Sequence, residues 1–126
     1  MNPEIIASNE APRPIGPYVQ AMACGPLLFL SGQIALDPAT GIIKGETVEQ
    51  QTKQVMENIS AVLRAYGLTV SSIVKTTVFL RCMDDFALFN HAYEAGLNGW
   101  KPARSVIEVS RLPKNALVEI ETVACR

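Results

Sequence analysis

An arginine and two glutamates are the residues of this chain whose types and positions could act on a small acid. Arg104 follows Pro102 in the stretch "KPARSVIEV". A proline fixes its own φ and disfavours the α region for Lys101 before it, so we expect the chain to reach Arg104 stiffly and extended. Because a guanidinium matches a carboxylate bidentately, Arg104 either binds a substrate carboxylate or forms a structural ion pair with a glutamate. The residues alone leave both interpretations open.

The two glutamates lie in the predicted strand 117–124, "LVEIETVA". Alternation along this strand puts four side chains on one face and the others on the face that meets the helices. The four are Leu117, Glu119, Glu121 and Val123. Flanking apolar residues favour partial burial, which raises the pKa of a carboxyl group and lets it shuttle protons; solvated glutamates are the alternative. We expect Arg104 on the neighbouring strand of the same hairpin.

Other polar positions are weaker candidates for contact with a ligand. Asn90 lies on the apolar stripe of a predicted helix, so its amide either pins the helix to a loop or faces a cleft. Ser31-Gly32 ends an apolar strand, where glycine opens the main-chain N–H and C=O groups to close approach. Tyr18 follows "PIGP" and is consistent with a core aromatic whose hydroxyl is satisfied locally. His91, one position round the helix from Asn90, is expected to face solvent.

Composition disfavours several classes of function. The 126 residues carry a net charge of −1 and no basic run, so no footprint for nucleic acid or an anionic membrane is visible. Cys24, Cys82 and Cys125 are far apart, which is typical of free thiols in a reducing compartment. His91 is the only histidine, so a metal site or a histidine-based triad lacks parts. With no secretory signal or membrane span in view, we expect a cytoplasmic protein.

The elements that must position these residues are predicted to form one α+β domain, 1–126, in the order ββαβαββ. Strands are predicted at 18–23, 27–32, 73–80, 105–110 and 117–124. The first helix is expected to begin at a capping box, Thr47 with Gln50, and to end at Gly67. Asp84 or Asp85 is expected to cap the second helix. The apolar face of that second helix carries Phe86, Phe89, Tyr93 and Leu97.

Right-handed crossovers would place both helices on one face of a single mixed sheet. The stretches "LLFL" and "TVFL" nevertheless offer apolar side chains to both faces. An exposed apolar sheet face would be a large sticky patch on a monomer. We therefore expect a homo-oligomer in which copies of the chain pack through their sheets.

Motifs along nearly the whole chain resemble those of the reactive intermediate (imine) deaminase family, also named endoribonuclease L-PSP or translation inhibitor. Two stretches near the end of the chain, "PARSVIEVSRLP" and "VEIETVA", form the most specific signature of that family. The stretches are "RPIGPYVQA", "FLSGQIALDPATG", "QTKQVMENI", "IVKTTVFL", "MDDF" with a downstream Asn and Tyr, "PARSVIEVSRLP" and "VEIETVA".

The resemblance implies a chorismate-mutase-like fold and a homotrimer with its sheets packed inward and three clefts between subunits. Carried over position by position, it makes Arg104 the carboxylate-binding arginine and Glu119 the acid that holds the hydrolytic water. The positions that line the cleft are Tyr18, Ser31, Gly32 and Asn90.

Three departures from the family pattern bear on substrate preference. Val106 stands where many members have cysteine, so a thiol there cannot be essential, although the Val106 backbone can still contact a ligand. Val19 replaces the usual serine of the tyrosine motif, and Gly96-Leu97 replaces a commonly aromatic pair.

The implied reaction is hydrolysis of short 2-imino acids, 2-iminobutanoate and 2-iminopropanoate, to 2-oxo acids and ammonia. Pyridoxal-phosphate dehydratases acting on threonine and serine would be its metabolic neighbours. Arg104 would clamp the carboxylate while Glu119 delivers water and assists proton transfer to the nitrogen, without a metal or organic cofactor. Two alternatives stay open: an endoribonuclease that inhibits translation, and a non-catalytic trimer that binds 2-oxo acids or acts as a holdase. No nucleic-acid or membrane partner is expected.

Overall fold

One six-stranded mixed sheet with two α-helices against one face forms the part of the chain that the computed structural model describes, residues 2–126. The helices are α1, Val48–Ala65, and α2, Phe86–Gly96. Neighbouring strands are antiparallel except β4 and β5, and the spatial order is β1-β2-β3-β6-β4-β5. The strands are β1 Glu4–Ile6, β2 Ala21–Cys24, β3 Leu27–Gln33, β4 Ile73–Leu80, β5 Ala103–Glu108 and β6 Val118–Cys125. The predicted α+β class and mixed sheet are confirmed.

The predicted capping box holds the first turn of α1. Thr47 Oγ1 accepts a hydrogen bond from Gln50 N at 3.2 Å, and Gln50 Oε1 accepts one from Thr47 N at 3.4 Å. The helix ends at Ala65, and Gly67 follows with a φ of +74°, a left-handed conformation that glycine adopts without steric cost. Both ends of α1 are therefore determined by local sequence.

The start of α2 differs from the prediction. Asp85 occupies the cap position, but its side chain makes no capping hydrogen bond. A short 3₁₀ turn, Met83–Asp85, leads into the helix instead, and Met83 N donates to Glu108 Oε1 at 2.8 Å. A carboxylate from the end of β5 thus satisfies a backbone donor at this turn.

The two faces of the sheet differ in what covers them. Helix-facing side chains of β4 and β6 are fully buried and pack with Phe89, Tyr93 and Leu97 of α2. The opposite face carries Phe29 and Ile107, which are 44% and 46% exposed. Apolar side chains therefore occupy both faces, as the sequence predicts, and the helices cover only one of them.

The strand pairing corrects the sequence prediction in two places. β1 is an additional edge strand, and its three residues are too few to give an alternating pattern. β5 and β6 do not form a hairpin, because β6 lies between β3 and β4 while β5 pairs in parallel with β4. Long-range pairing overrides closeness along the chain, so the prediction that Arg104 lies on the strand next to the glutamates is wrong.

The first long strand is also shorter than predicted. It begins at Ala21, so Tyr18 lies in the preceding loop. Gln20 ends that loop and is buried, and its Nε2 donates to Pro12 O at 2.8 Å.

No helix in residues 2–126 has the length and apolar character needed to cross a membrane.

Candidate functional site

Arg104 projects from β5 toward α2, on the helix-covered side of the sheet. It pairs with Thr76 of β4, whose buried hydroxyl lies 2.6 Å from the Tyr93 hydroxyl. Arg104 Nη1 donates to Asn90 Oδ1 at 2.7 Å, and its Cζ lies 5.1 Å from the centre of the Tyr93 ring. The rings of Phe86 and Phe89 are 5.6 and 5.9 Å away. One hydrogen bond and three aromatic rings therefore hold the half-buried guanidinium.

Neither glutamate of β6 neutralises Arg104. Within residues 2–126 the only ion pair closer than 4.0 Å joins the exposed side chains of Arg64 and Glu10. Arg104 instead lines an open hollow of about 410 Å³ together with Asn90, Trp100 and other residues. The structural ion pair that the sequence left open is not found within residues 2–126, so no carboxylate neutralises the guanidinium there.

Burial raises the pKa of the Tyr93 phenol, although the hydrogen bond with Thr76 and the charge of Arg104 act against the rise. The phenol is therefore neutral at neutral pH. Its ring can support the guanidinium as an aromatic face without adding a negative charge to the hollow.

Glu119 projects from β6 toward the uncovered face of the sheet, beside Gly32. Burial raises the pKa of this carboxyl group, and repulsion from Glu121 raises it further. A Cβ at Gly32 would overlap Oε2 of Glu119 and lie 2.9 Å from its Cδ, so only glycine leaves room for the carboxylate. The pairing of β3 with β6 shifts between Leu30 and Gln33, which places a bulge at this point of the strand.

Tyr18, Ser31, Gly32 and Glu119 line one hollow of about 340 Å³. Ser31 Oγ donates to Val19 O at 2.6 Å, which fixes the strand end against the preceding loop. The Tyr18 hydroxyl accepts from Ile15 N at 3.4 Å, and the Tyr18 side chain is 46% exposed. Tyr18 is therefore a loop aromatic at the hollow and not the core residue that its sequence context suggested.

The candidate residues thus form two groups on opposite faces of the sheet. The first group, Arg104 with Asn90, faces α2, because Arg104 and Thr76 are paired neighbours on the buried side. The second group contains Glu119, which pairs with Phe79 on the uncovered side. We name them the arginine half-site and the glutamate half-site; the latter consists of Tyr18, Ser31, Gly32 and Glu119.

Val106 lies in neither half-site. Its side chain shares the helix-facing side of β5 with Arg104 and packs against the core. Gly96 and Leu97, the pair that departs from the family pattern, lie in different surroundings. Leu97 lines the hollow of Arg104. Gly96 lies against α1, where an added Cβ would come 2.7 Å from Met56 Cγ. Gly96 is therefore explained by helix packing.

Sequence reasoning missed the aromatic support around Arg104. Phe86, Phe89 and Tyr93 were assigned only to the core, yet all three rings lie near the guanidinium. Their spacing with Asn90, at i, i+3, i+4 and i+7, was the available signal, because residues so spaced share one helix face. Among residues 2–126 no three His, Cys, Asp or Glu side chains lie together where they could hold a metal ion.

The model of the Endoribonuclease L-PSP family matches residues 8–126, and the chain belongs to that family. It is 50% identical over 122 residues to a RutC family protein of Pyrococcus horikoshii, covering 96% of each chain. It is 48% identical over 124 residues to the 2-iminobutanoate/2-iminopropanoate deaminase of Salmonella typhimurium, again covering 96% of each.

Solved structures show the same architecture. The crystal structure of Escherichia coli TdcF with bound serine matches with a TM-score of 0.93 and 41% identity, covering 98% of each chain. The family and fold that the sequence motifs predicted are therefore confirmed.

Proposed function

We propose that this protein hydrolyses short 2-imino acids, such as 2-iminobutanoate and 2-iminopropanoate, to 2-oxo acids and ammonia. The observation that carries the proposal is the state of the Arg104 guanidinium. Asn90 and three aromatic rings hold this group, and no carboxylate lies within 4.0 Å to neutralise it. Such a group is prepared for the carboxylate of a small substrate. Relatives that are named 2-iminobutanoate/2-iminopropanoate deaminase support the choice of substrate.

Glu119 is proposed as the group that activates water. Because burial and repulsion from Glu121 raise its pKa, the carboxylate is a stronger base than an exposed glutamate. It takes a proton from water as the oxygen bonds to the imine carbon, which gives a carbinolamine. The carbinolamine forms neutral because the imine enters protonated, and Glu119 then passes the proton from water to its nitrogen. As the C–N bond breaks, its electrons leave with ammonia, the C=O bond forms from the hydroxyl oxygen, and the hydroxyl proton returns to Glu119. This chemistry uses no metal or organic cofactor.

The complete cleft is proposed to form between copies of the chain. Arg104 and Glu119 of one chain lie on opposite sides of one sheet, so they cannot contact the same small substrate. A homotrimer that packs the uncovered sheet faces inward would bring the arginine half-site of one subunit to the glutamate half-site of its neighbour. Serine bound to Escherichia coli TdcF carries an α-carboxylate, the group that we assign to Arg104.

Enzymes that eliminate water from hydroxyl amino acids are the proposed source of the substrate. Pyridoxal-phosphate dehydratases acting on threonine and serine release 2-iminobutanoate and 2-iminopropanoate. These imines also hydrolyse spontaneously, so the role proposed here is to shorten their lifetime.

A coupled assay tests the proposal. Threonine dehydratase is supplied with L-threonine, and release of 2-oxobutanoate is followed with and without this protein. We expect faster release with the wild type and with Arg111→Ala, whose exposed arginine serves as the control, but not with Arg104→Ala. If the wild type binds 2-oxobutanoate in calorimetry without accelerating its release, the protein is a binding trimer and not a deaminase.

A further inference from the structure

The nearest of the three rings around the Arg104 guanidinium is held at both of its ends. Tyr93 belongs to α2, and its hydroxyl lies 2.6 Å from Thr76 Oγ1 on β4. Tyr93 is 6% exposed and Thr76 is 1% exposed, so this hydrogen bond lies in the core. The phenol ring therefore spans the gap between helix and sheet and has little freedom to turn.

The two hydroxyl groups meet at the level of Arg104 in the sheet. Thr76 and Arg104 are direct partners on the parallel strands β4 and β5, so both side chains lie on the helix-facing side. The Tyr93 hydroxyl is thus fixed on one strand, and the guanidinium near its ring comes from the next strand. A movement of the ring would move the surface against which Arg104 lies.

The other supports of the guanidinium depend on Tyr93 or have no such anchor. Phe86 is 38% exposed and has no polar atom that could fix it. Phe89 is fully buried, and its ring centre lies 5.2 Å from that of Tyr93. Asn90 lies one helical turn before Tyr93 on the same face of α2, and its Oδ1 accepts from Arg104 Nη1. The position of Tyr93 therefore bears on most of the contacts that hold Arg104.

A second buried threonine provides a matched comparison for Thr76. Thr122 of β6 pairs directly with Thr76 and is 2% exposed on the same side of the sheet. Thr122 Oγ1 has no hydrogen-bond partner within residues 2–126. Two neighbouring threonines of one core layer therefore differ in whether their hydroxyl groups form a hydrogen bond.

We infer that Thr76 and Tyr93 are positioning residues for Arg104, because the hydrogen bond between their hydroxyl groups fixes the ring that aligns the guanidinium for a substrate carboxylate. Thr76 does not line the hollow of Arg104, so it acts through Tyr93. The inference rests on the proposed carboxylate-binding role of Arg104, but the alignment of its side chain is measurable without a ligand.

Side-chain NMR of the full, ¹⁵N-labelled chain tests the alignment. The Nε–Hε signal of Arg104 is identified by its absence from Arg104→Lys, and ring currents of the three rings are expected to displace it. Thr76→Val keeps the branched shape but loses the hydroxyl, so this signal should move toward the signals of exposed arginines. In Thr122→Val it should stay at the wild-type position. If Thr76→Val leaves the signal in place, the hydrogen bond does not position Arg104 and the inference is wrong.

Binding of 2-oxobutanoate measures the consequence for the site. Thr76→Val and Tyr93→Phe each remove one hydroxyl of the pair, so each should weaken binding and raise KM about three- to tenfold. The value of kcat should stay near that of the wild type, because a carboxylate is bound alike in the substrate and in the transition state. Both changes break the same hydrogen bond, so the double variant should bind scarcely more weakly than either single variant. Losses that multiply would contradict the inference.

Thr76→Ser separates positioning from stability. It keeps the hydroxyl and loses a buried methyl group, so it should lower the denaturant midpoint while the Arg104 signal and the affinity stay close to those of the wild type. Thr122→Val should also bind 2-oxobutanoate like the wild type. If Thr76→Ser weakens binding as much as Thr76→Val, the loss follows packing and not the hydroxyl, and the inference is wrong.

The two readouts keep this inference distinct from the proposed function. If the wild type neither binds 2-oxobutanoate nor accelerates its release, the proposed function fails. The Arg104 signal in Thr76→Val and Thr122→Val then still decides whether the hydroxyl pair aligns the guanidinium.

Discussion

Replacing Gly32 by alanine should stop the proposed reaction without unfolding the protein. The new Cβ would overlap Oε2 of Glu119 and lie 2.9 Å from its Cδ. These atoms form the end of a flexible side chain, so the carboxylate is expected to move while the strand stays in place. The φ of Gly32 is not in the left-handed region, so an alanine backbone meets no strain there.

The expected magnitudes follow from that geometry. Loss of a positioned acid/base group lowers kcat/KM by about 10²–10⁴-fold, which is the loss expected for both Gly32→Ala and Glu119→Gln in the coupled assay. The free energy of unfolding should change by no more than about 1 kcal/mol, since alanine mainly reduces the freedom of the unfolded chain. Denaturant unfolding of the same preparations measures this second quantity.

A double-mutant cycle and a rescue complete the test. Because both changes act through one carboxylate, Gly32→Ala combined with Glu119→Gln should be scarcely slower than Glu119→Gln alone. Glu119→Asp in the Gly32→Ala background removes the oxygen that overlaps the new methyl group, although its carboxyl carbon, at the position of Glu119 Cγ, stays 3.1 Å from the new Cβ; it should recover part of the activity. The reasoning is refuted if Gly32→Ala keeps wild-type activity, or if the losses of the two changes multiply.

Four further outcomes are expected. Arg104→Lys keeps the charge but loses the planar guanidinium, so kcat/KM should fall about 10- to 100-fold with the oligomer intact. Unchanged activity would contradict the proposal that Arg104 binds the substrate carboxylate. Repulsion from Glu121 raises the pKa of Glu119 in addition to the effect of burial. Glu121→Gln should therefore lower the pKa of Glu119 and move the acid limb of the pH–kcat/KM profile to lower pH, with the plateau unchanged. A shift of that limb to higher pH would show that the sign is wrong. Light scattering after size exclusion should show a trimer, because the uncovered sheet face is apolar, and a stable monomer at micromolar concentration would exclude the proposed assembly. With a net charge of −1, RNA binding should be weak and strongly salt-dependent, whereas salt-resistant cleavage lost in Arg104→Lys would favour the ribonuclease alternative.

Features that depend on neighbouring residues could be predicted from the sequence. The capping box of Thr47 and Gln50 and the left-handed Gly67 delimit α1, because both act within one turn of helix. Alternation along β6 correctly separated Glu119 and Glu121 from the residues that pack against the helices. The motifs were sufficient to identify the family, since they extend over nearly the whole chain.

Strand order and the side of the sheet on which Arg104 lies were decided only by the tertiary structure. The pattern of β5 shows that Arg104 and Val106 share a face, but it does not say which strand lies beside them. That strand is β4 and not β6, because pairing between distant segments determines a sheet and leaves no local trace in the sequence. The same long-range pairing brings Glu119 over Gly32 and puts Arg104 on the opposite face. The sequence by itself therefore determined which residues are candidates, and only the fold determined that these candidates lie in two groups on opposite faces of the sheet.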